Sequence, residues 1–287
     1  MDFQTLLQLT VGGLLLGAVY ALAAAGLNLI FGVMRVVNFA HGDLMMLGAY
    51  TTFWLYQLWG INPVVGLFAA MPLLFALGWV LQRFLVNRLV GQPPLMSLIM
   101  LWGVSLIIIN AGLLAWTSNV RSVPYFSGGI DLAGISISRS RGAAFLMATV
   151  LSVAVWLFLQ RTRWGKAIRA TAQSAEMALV CGINVDRVRL LTFGLAAAMA
   201  GAAGNLLITI LAISPGVGPT FLLKAFAIIV IGGLGSFQGA FIGALVVGVL
   251  ESFSSFTISA QAADAVVYFA LILFLLVRPG GLMGARE

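Results

Sequence analysis

The stretch RTRWGKAIRATAQSAEMALVCGINVDRVR, residues 161–189, decides how this chain is read. It holds Arg161, Arg163, Lys166, Arg169, Arg187 and Arg189, six of the 15 Lys and Arg residues, and it interrupts a sequence otherwise made of long apolar runs. A basic block of this kind resists transfer across a bilayer and stays on the cytoplasmic side. Its length, with Glu176-Met177-Ala178 followed by Gly182, marks it as a surface for another protein to grip rather than a plain connector.

Outward from that island the composition is 62% hydrophobic and 8% charged, against about 25% charged in soluble domains. Crossing the hydrocarbon takes roughly 20 apolar residues, so the chain has room for about eight to ten helices. Alternating ten-residue barrel strands are absent, so the backbone must be satisfied within helices. The fold expected is an all-α polytopic transmembrane bundle, a single domain over residues 1–287 with 161–189 as a cytoplasmic loop within it. Apolar runs fall at 6–31, 43–59, 63–86, 94–116, 142–160, 190–211, 221–235, 238–257 and 262–278, which gives 8–9 spans once short or broken helices near 35–43 and 221–239 are allowed for. Asn62-Pro63, Pro93-Pro94, Ser127-Gly128-Gly129 and Ser214-Pro215-Gly216 punctuate them.

Placing the 161–189 loop and the Arg83/Arg88 loop on one side fixes the rest by parity. Arg278 and Arg286 come out cytoplasmic, Arg35 lies at the inner face, and the N-terminus is outside. Arg121, Arg139 and Arg141 then sit in an external loop, against the charge bias but within its tolerance as a sum over loops. The net charge of +7 thus reports orientation in a membrane rather than nucleic-acid binding. Cys181 is the only cysteine, which excludes an internal disulfide and a thiolate metal site. The start lacks a basic signal region, and the first run is read as a retained helix.

Two segments break the helical pattern, 35–43 and 232–239, and each sets a phenylalanine shortly before a glycine, Phe39 before Gly42 and Phe237 before Gly239. Matching interruptions in two halves point to a transport pathway and an internal repeat; under the parity above, the halves run in the same sense. Asn38, His41, Gly42, Asp43, Gly235, Ser236 and Gln238 are the candidates for lining that route, and bulky substitution at Gly42 or Gly235 should stop transport without disturbing assembly. His41 and Asp43 have a functional reading as a proton relay and a structural one, with Asp43 capping a helix near the inner interface. Lys224, Glu251 and Asp264 are expected in the outer half of the membrane, with Lys224 opening a helix and approaching at least one of the acids. Gly13/Gly17 and Gly235/Gly239/Gly243 are read as packing faces, and Trp54, Trp59, Trp116 and Trp164 as headgroup anchors. No nucleophile, metal-ligand or second-histidine constellation supports an enzyme.

Three strings then carry a resemblance. Residues 28–43 (NLIFGVMRVVNFAHGD), the stretch from Arg169-Ala170-Thr171 through Gly182-Ile183-Asn184, and residues 224–236 (KAFAIIVIGGLGS) resemble the permease of branched-chain amino acid ABC importers, the LivH type. The resemblance implies a bacterial inner-membrane subunit that works with a second related permease, two cytoplasmic ATPases and a periplasmic binding protein. It implies a Glu-Ala-Ala-x3-Gly coupling helix at Arg169, Ser174, Glu176, Ala178 and Gly182, with Met177 replacing the middle alanine. No Gly-x4-Gly-Lys-Ser/Thr loop occurs in the chain, so ATP and Mg are expected on the partner ATPases and no cofactor in this chain. Related machinery carrying urea, short amides or aromatic acids is the alternative. An ion-coupled transporter or channel using His41, Asp43 and Glu251 is the reading from another class, and it predicts transport by this chain alone.

Overall fold

The computed structural model describes residues 2–125, 128–132, 135–278 and 280–283; Ser127 and Arg286 of the readings above lie outside them. Among the described residues the chain forms α1 (Phe3–Met34), α2 (His41–Trp59), α3 (Pro63–Phe84), α4 (Pro94–Trp116), a hairpin of β1 (Gly129–Leu132) and β2 (Ile135–Ser138), then α5 (Arg139–Arg161), α6 (Arg163–Gln173), α7 (Ala175–Val180), α8 (Val185–Leu207), α9 (Gly218–Gly232), α10 (Phe237–Thr257) and α11 (Ala260–Val277). This is the polytopic helical bundle expected. Eight of these helices are long and apolar enough to cross a bilayer. The exception among the long ones is α2, which opens on His41-Gly42-Asp43 and carries Tyr50, Thr51 and Thr52; its buried face is covered by protein, so its polarity is tolerated.

Small residues set the packing. Gly13 and Gly17 of α1 lie directly on the backbone of Gly248, Val249 and Ala244 in α10, and Gly78 of α3 lies against Ala197 and Phe193 of α8. Backbones approach this closely only where side chains are absent, which is how helices gain van der Waals contact in a solvent as apolar as themselves. Gly239 and Gly243 pack the same way against Gly232 and Ile228 of α9. Gly235, expected on that helix face, instead sits in the turn between α9 and α10 with φ +83°, a left-handed conformation that glycine adopts without strain.

These pairings fix the direction of every helix. α1 meets α10 antiparallel, with Gly13 at Val249 and Gly17 at Leu245, and α3 meets α8 antiparallel, with Gly66 at Asn205 and Gly201 at Leu74. One end of the bundle gathers the last turns of α1 and α5 with α6 and the 235–238 turn. The other gathers β2, the start of α5 and the first half of α1. Arg35, Arg83, Arg88, Arg278 and the whole 161–189 island lie at the first end, called the basic face below.

The internal repeat is inverted, which corrects the expectation that the halves run in the same sense. α1 runs toward the basic face, the chain turns back into the bundle over 35–40, and α2 runs out to the opposite face and returns as α3. α8 runs away from the basic face, the chain turns back over 208–217, and α9 runs to the basic face and returns as α10. The segment matching 35–40 is therefore 208–217 and not 232–239. Each long helix also ties the start of the third helix in the other half. Asn28 of α1 donates to the Ser236 carbonyl and accepts from the Gly235 amide, both at 2.7 Å, and Asn205 of α8 donates to the Pro63 carbonyl at 3.1 Å and to the Thr52 hydroxyl.

Candidate functional site

The two turned-back segments meet inside the bundle. Arg35 ends α1 in the left-handed region, φ 55°, its amide bonded to Phe31 O, and from there the chain reverses inward. His41 Nε2 then lies 2.9 Å from the carbonyl of Ala23, deep along α1, and Gly42 packs on the carbonyl of Gly218 so closely that a Cβ at either glycine would overlap the other segment. The first turns of α2 and α9 thus abut in the interior. His41 and Asp43 are not at the inner interface, and Asp43 is not a cap: the cap position is Ala40, without a side-chain bond.

This junction is polar, closed and incompletely satisfied. Asn38, His41 and Asp43 are 0%, 0% and 1% exposed. Ser105 of α4 stands near the Asp43 carboxylate, the Asn38 carbonyl accepts from the His41 amide, and Asn38 Oδ1 accepts from the Ala40 amide. Asn38 Nδ2, His41 Nδ1 and Asp43 Oδ1 have no partner. Buried polar atoms left so cost about 1–3 kcal/mol each, a cost that water, a passing solute or a second conformation can relieve. Phe39 packs on Trp102 of α4 at 5.7 Å between centroids. Because Gly42 is a packing glycine, a bulky side chain there would disturb the helix junction itself, so the expectation that assembly would survive does not hold at this position.

Gly235, Ser236 and Gln238 do not join that junction. They line a separate cavity of about 280 Å³ toward the basic face, with Asn28 and Gly32 of α1, Gln160 of α5 and Arg169 of α6. Arg169 Nη1 donates to Gln160 Oε1 at 2.9 Å. Ala23 and Asn28 are about 7.5 Å apart along α1, so the candidate pathway residues fall into two layers. Asn28 is not among the residues expected from sequence to line the route, although a lone amide within an apolar run is a signal of a helix tie or a pathway.

The three interior charges do converge. Lys224 Nζ lies 2.8 Å from both Glu251 Oε1 and Asp264 Oδ1. Tyr20 of α1, which periodicity gave no means to find, donates to Glu251 Oε1 at 3.1 Å. Lys224 does not open α9, which begins at Gly218; the additional turn was hidden because Gly-Pro-Thr precedes the apolar run. Trp54 and Trp116, read as headgroup anchors, are partly buried and pack in an aromatic group with Tyr50 and Phe53.

On the basic face, α6 lies as an amphipathic helix against α5, α1 and α8, with Ile168 and Thr171 buried. Ser174 then accepts from the Met177 amide as the cap of α7. α7 closes through Ile183 N to Ala178 O and Gly182 N to Leu179 O, both 2.9 Å, with Gly182 at φ +79°. That bond pair with a left-handed glycine is a Schellman motif, and it explains the spacing of Gly182 from Glu176 and Ala178. Ala178 is buried against the bundle, while Met177, Leu179 and Val180 point away at 64%, 59% and 82% exposure.

Residues 9–276 match the family described as branched-chain amino acid transport system / permease component. The chain is similar to the high-affinity branched-chain amino acid transport system permease protein LivH of Salmonella typhimurium, 34% identical over all of this chain and 98% of that one. It is also similar to the corresponding protein BraD of Pseudomonas aeruginosa, 34% identical over 98% and 96%, and to the ribose import permease protein RbsC of Escherichia coli, 26% identical over 82% and 74%. No solved structure matches the chain significantly.

Proposed function

The chain belongs to the branched-chain amino acid transport permease family and is a multi-pass membrane protein, and from that premise we propose that it is the membrane subunit of an ATP-driven importer of branched-chain amino acids in a bacterial inner membrane. The basic face is its cytoplasmic side. Separate ATPase subunits engage it there, a second related permease completes the conduit, and a periplasmic receptor delivers the solute. The alternative within the same machinery is another small solute, supported by the ribose permease among the similar proteins; receptor choice rather than helix architecture would then set the cargo.

The observation that carries the reading is α7. An apolar knob of Met177, Leu179 and Val180, exposed by 59–82%, stands out on the basic face beside Glu176. Exposed apolar side chains rimmed by polar ones mark a protein contact. The Schellman closure at Gly182 and the cap at Ser174 hold that knob rigidly on α6 and α8, so displacement of the knob is transmitted to helices that reach the interior junction. The ATPase partner would move α6–α7 as a lever, and the turned-back segments around Gly42 and Gly218 would open in alternation. Val180→Asp should abolish co-purification of the ATPase subunits and ATP-dependent uptake while leaving membrane insertion unchanged. Retention of both by that variant would remove α7 as the docking element.

A further inference from the structure

We propose that Arg121, Tyr50 and Trp54 form a receiving site on the outward side for the carboxylate of an α-amino acid, used before the solute reaches the Gly42–Gly218 junction. The inference rests on the import reading above and adds to it the side chains that first hold the solute.

The cluster is built from α2 and the loop after α4. The Arg121 guanidinium lies 5.1 Å from the centroid of Phe53 and 6.0 Å from that of Trp54. Tyr50 is within electrostatic reach of that charge and stacks on Trp116 at 4.3 Å, with 9° between the rings. The backbone of Arg121 exchanges two hydrogen bonds with Ile213, at 2.8 and 2.7 Å. Arg121 is thereby pinned to the segment that leads down to Pro215 and Gly218, so its side chain stands above the interior junction rather than swinging in an external loop.

Three polar atoms here are buried and without a partner: Tyr50 Oη, Trp54 Nε1 and Arg121 Nε. Tyr50 is 0% exposed. Each of the three can donate a hydrogen bond, and among the described residues no carboxylate pairs with Arg121. Stacking on Phe53 and Trp54 offsets part of the cost of a sheltered guanidinium, but aromatic faces supply no strong acceptor. What the cluster lacks is an acceptor of negative charge. A carboxylate has two oxygens that accept several bonds at once and matches the fork of a guanidinium. Urea and simple amides carry no charge to compensate Arg121.

The site is spaced from the junction in a way that implies passage. Tyr50 lies about 10 Å beyond Asp43 along α2, whereas the ammonium and carboxylate of an α-amino acid are two bonds apart. One molecule cannot occupy both layers, so carboxylate capture at Arg121 precedes contact with Asp43, whose unpaired oxygen suits the ammonium.

The test uses the complete transporter in proteoliposomes, with leucine delivered by its receptor as the probe. Arg121→Gln should lower ATP-dependent leucine import about tenfold, Arg121→Lys less, and Tyr50→Phe about threefold or more. Thermal stability of Tyr50→Phe should be unchanged or higher, because the substitution removes an unsatisfied hydroxyl, and ATP hydrolysis stimulated by loaded receptor should persist. Where Arg121→Gln fails to assemble, Tyr50→Phe decides alone. Import at the wild-type rate in all variants that assemble would overturn the receiving site and leave the importer reading standing. A wild-type complex that imports no amino acid under ATP would remove the importer reading, and this inference with it.

Discussion

At Lys224 one ammonium serves two carboxylates, Glu251 and Asp264, inside helices that cross the bilayer. Tyr20 supplies a further donor to Glu251, and its ring also stands under the charge, 5.5 Å from Lys224 Nζ. Removing one partner from a buried ionic group leaves the others unpaired, typically at about 3–5 kcal/mol. Lys224→Met should therefore destabilise the protein by about 3 kcal/mol, toward the lower end because Asp264 is partly exposed. The triple change Lys224→Met, Glu251→Gln, Asp264→Asn should recover most of that loss. Thermal melts of the purified protein in detergent would show it, and equal midpoints for the single and triple variants would mean that the ions do not act as one unit. Gly42 and Gly218 make the complementary point at the same scale: their value lies in the absence of a side chain where two backbones touch.

At the scale of elements, α7 shows how a short helix is held in shape, as the lever proposed above would require. Six residues cannot form a stable helix on propensity alone. Here both ends are closed, by the Ser174 hydroxyl and by the Gly182 Schellman turn, and Ala178 is buried between them. Gly182→Val should strain that turn by about 1–2 kcal/mol, the cost of a left-handed residue with a side chain. No neighbour lies within 4 Å of a Cβ there, so the bundle should fold normally. The expected outcome is reduced ATPase association in a pull-down, with unchanged expression and melting of the permease. A Gly182→Val protein that binds its ATPases with wild-type affinity would show that α7 geometry is not what the partner reads.

At the scale of the molecule, the inverted repeat places two turned-back segments against each other, one entering from each face. In the importer proposed above, the two halves would rock about the shared Gly42–Gly218 contact, so that either side opens while the other stays closed. The orientation has a direct check in Cys181, an exposed thiol on the basic face and the only cysteine in the chain. A membrane-impermeant maleimide should label it in inside-out vesicles and not in spheroplasts. The reverse pattern would invert every assignment of cytoplasmic and outer sides made above.

What the residues determined unaided was the helical bundle, the gathering of the basic loops at one end of it and the local closure of α7, because each is a one-dimensional property. Bilayer-length apolar runs count spans, basic loops choose a face, and the Ser174-to-Gly182 spacing is local helix chemistry. The convergence of Lys224 on its two acids was also foreseeable, since unpaired charges in hydrocarbon seek one another. Folding alone decided the rest. A peptide that turns back into the interior over 35–40 reads in one dimension as a loop, which puts His41 and Asp43 at the interface and runs the repeat in the wrong sense. Tyr20, Asn28, Arg121 and Gly218 gain their meaning from neighbours far away in the chain. Such meetings depend on which helix backbones can approach closely, and that is settled by packing in three dimensions.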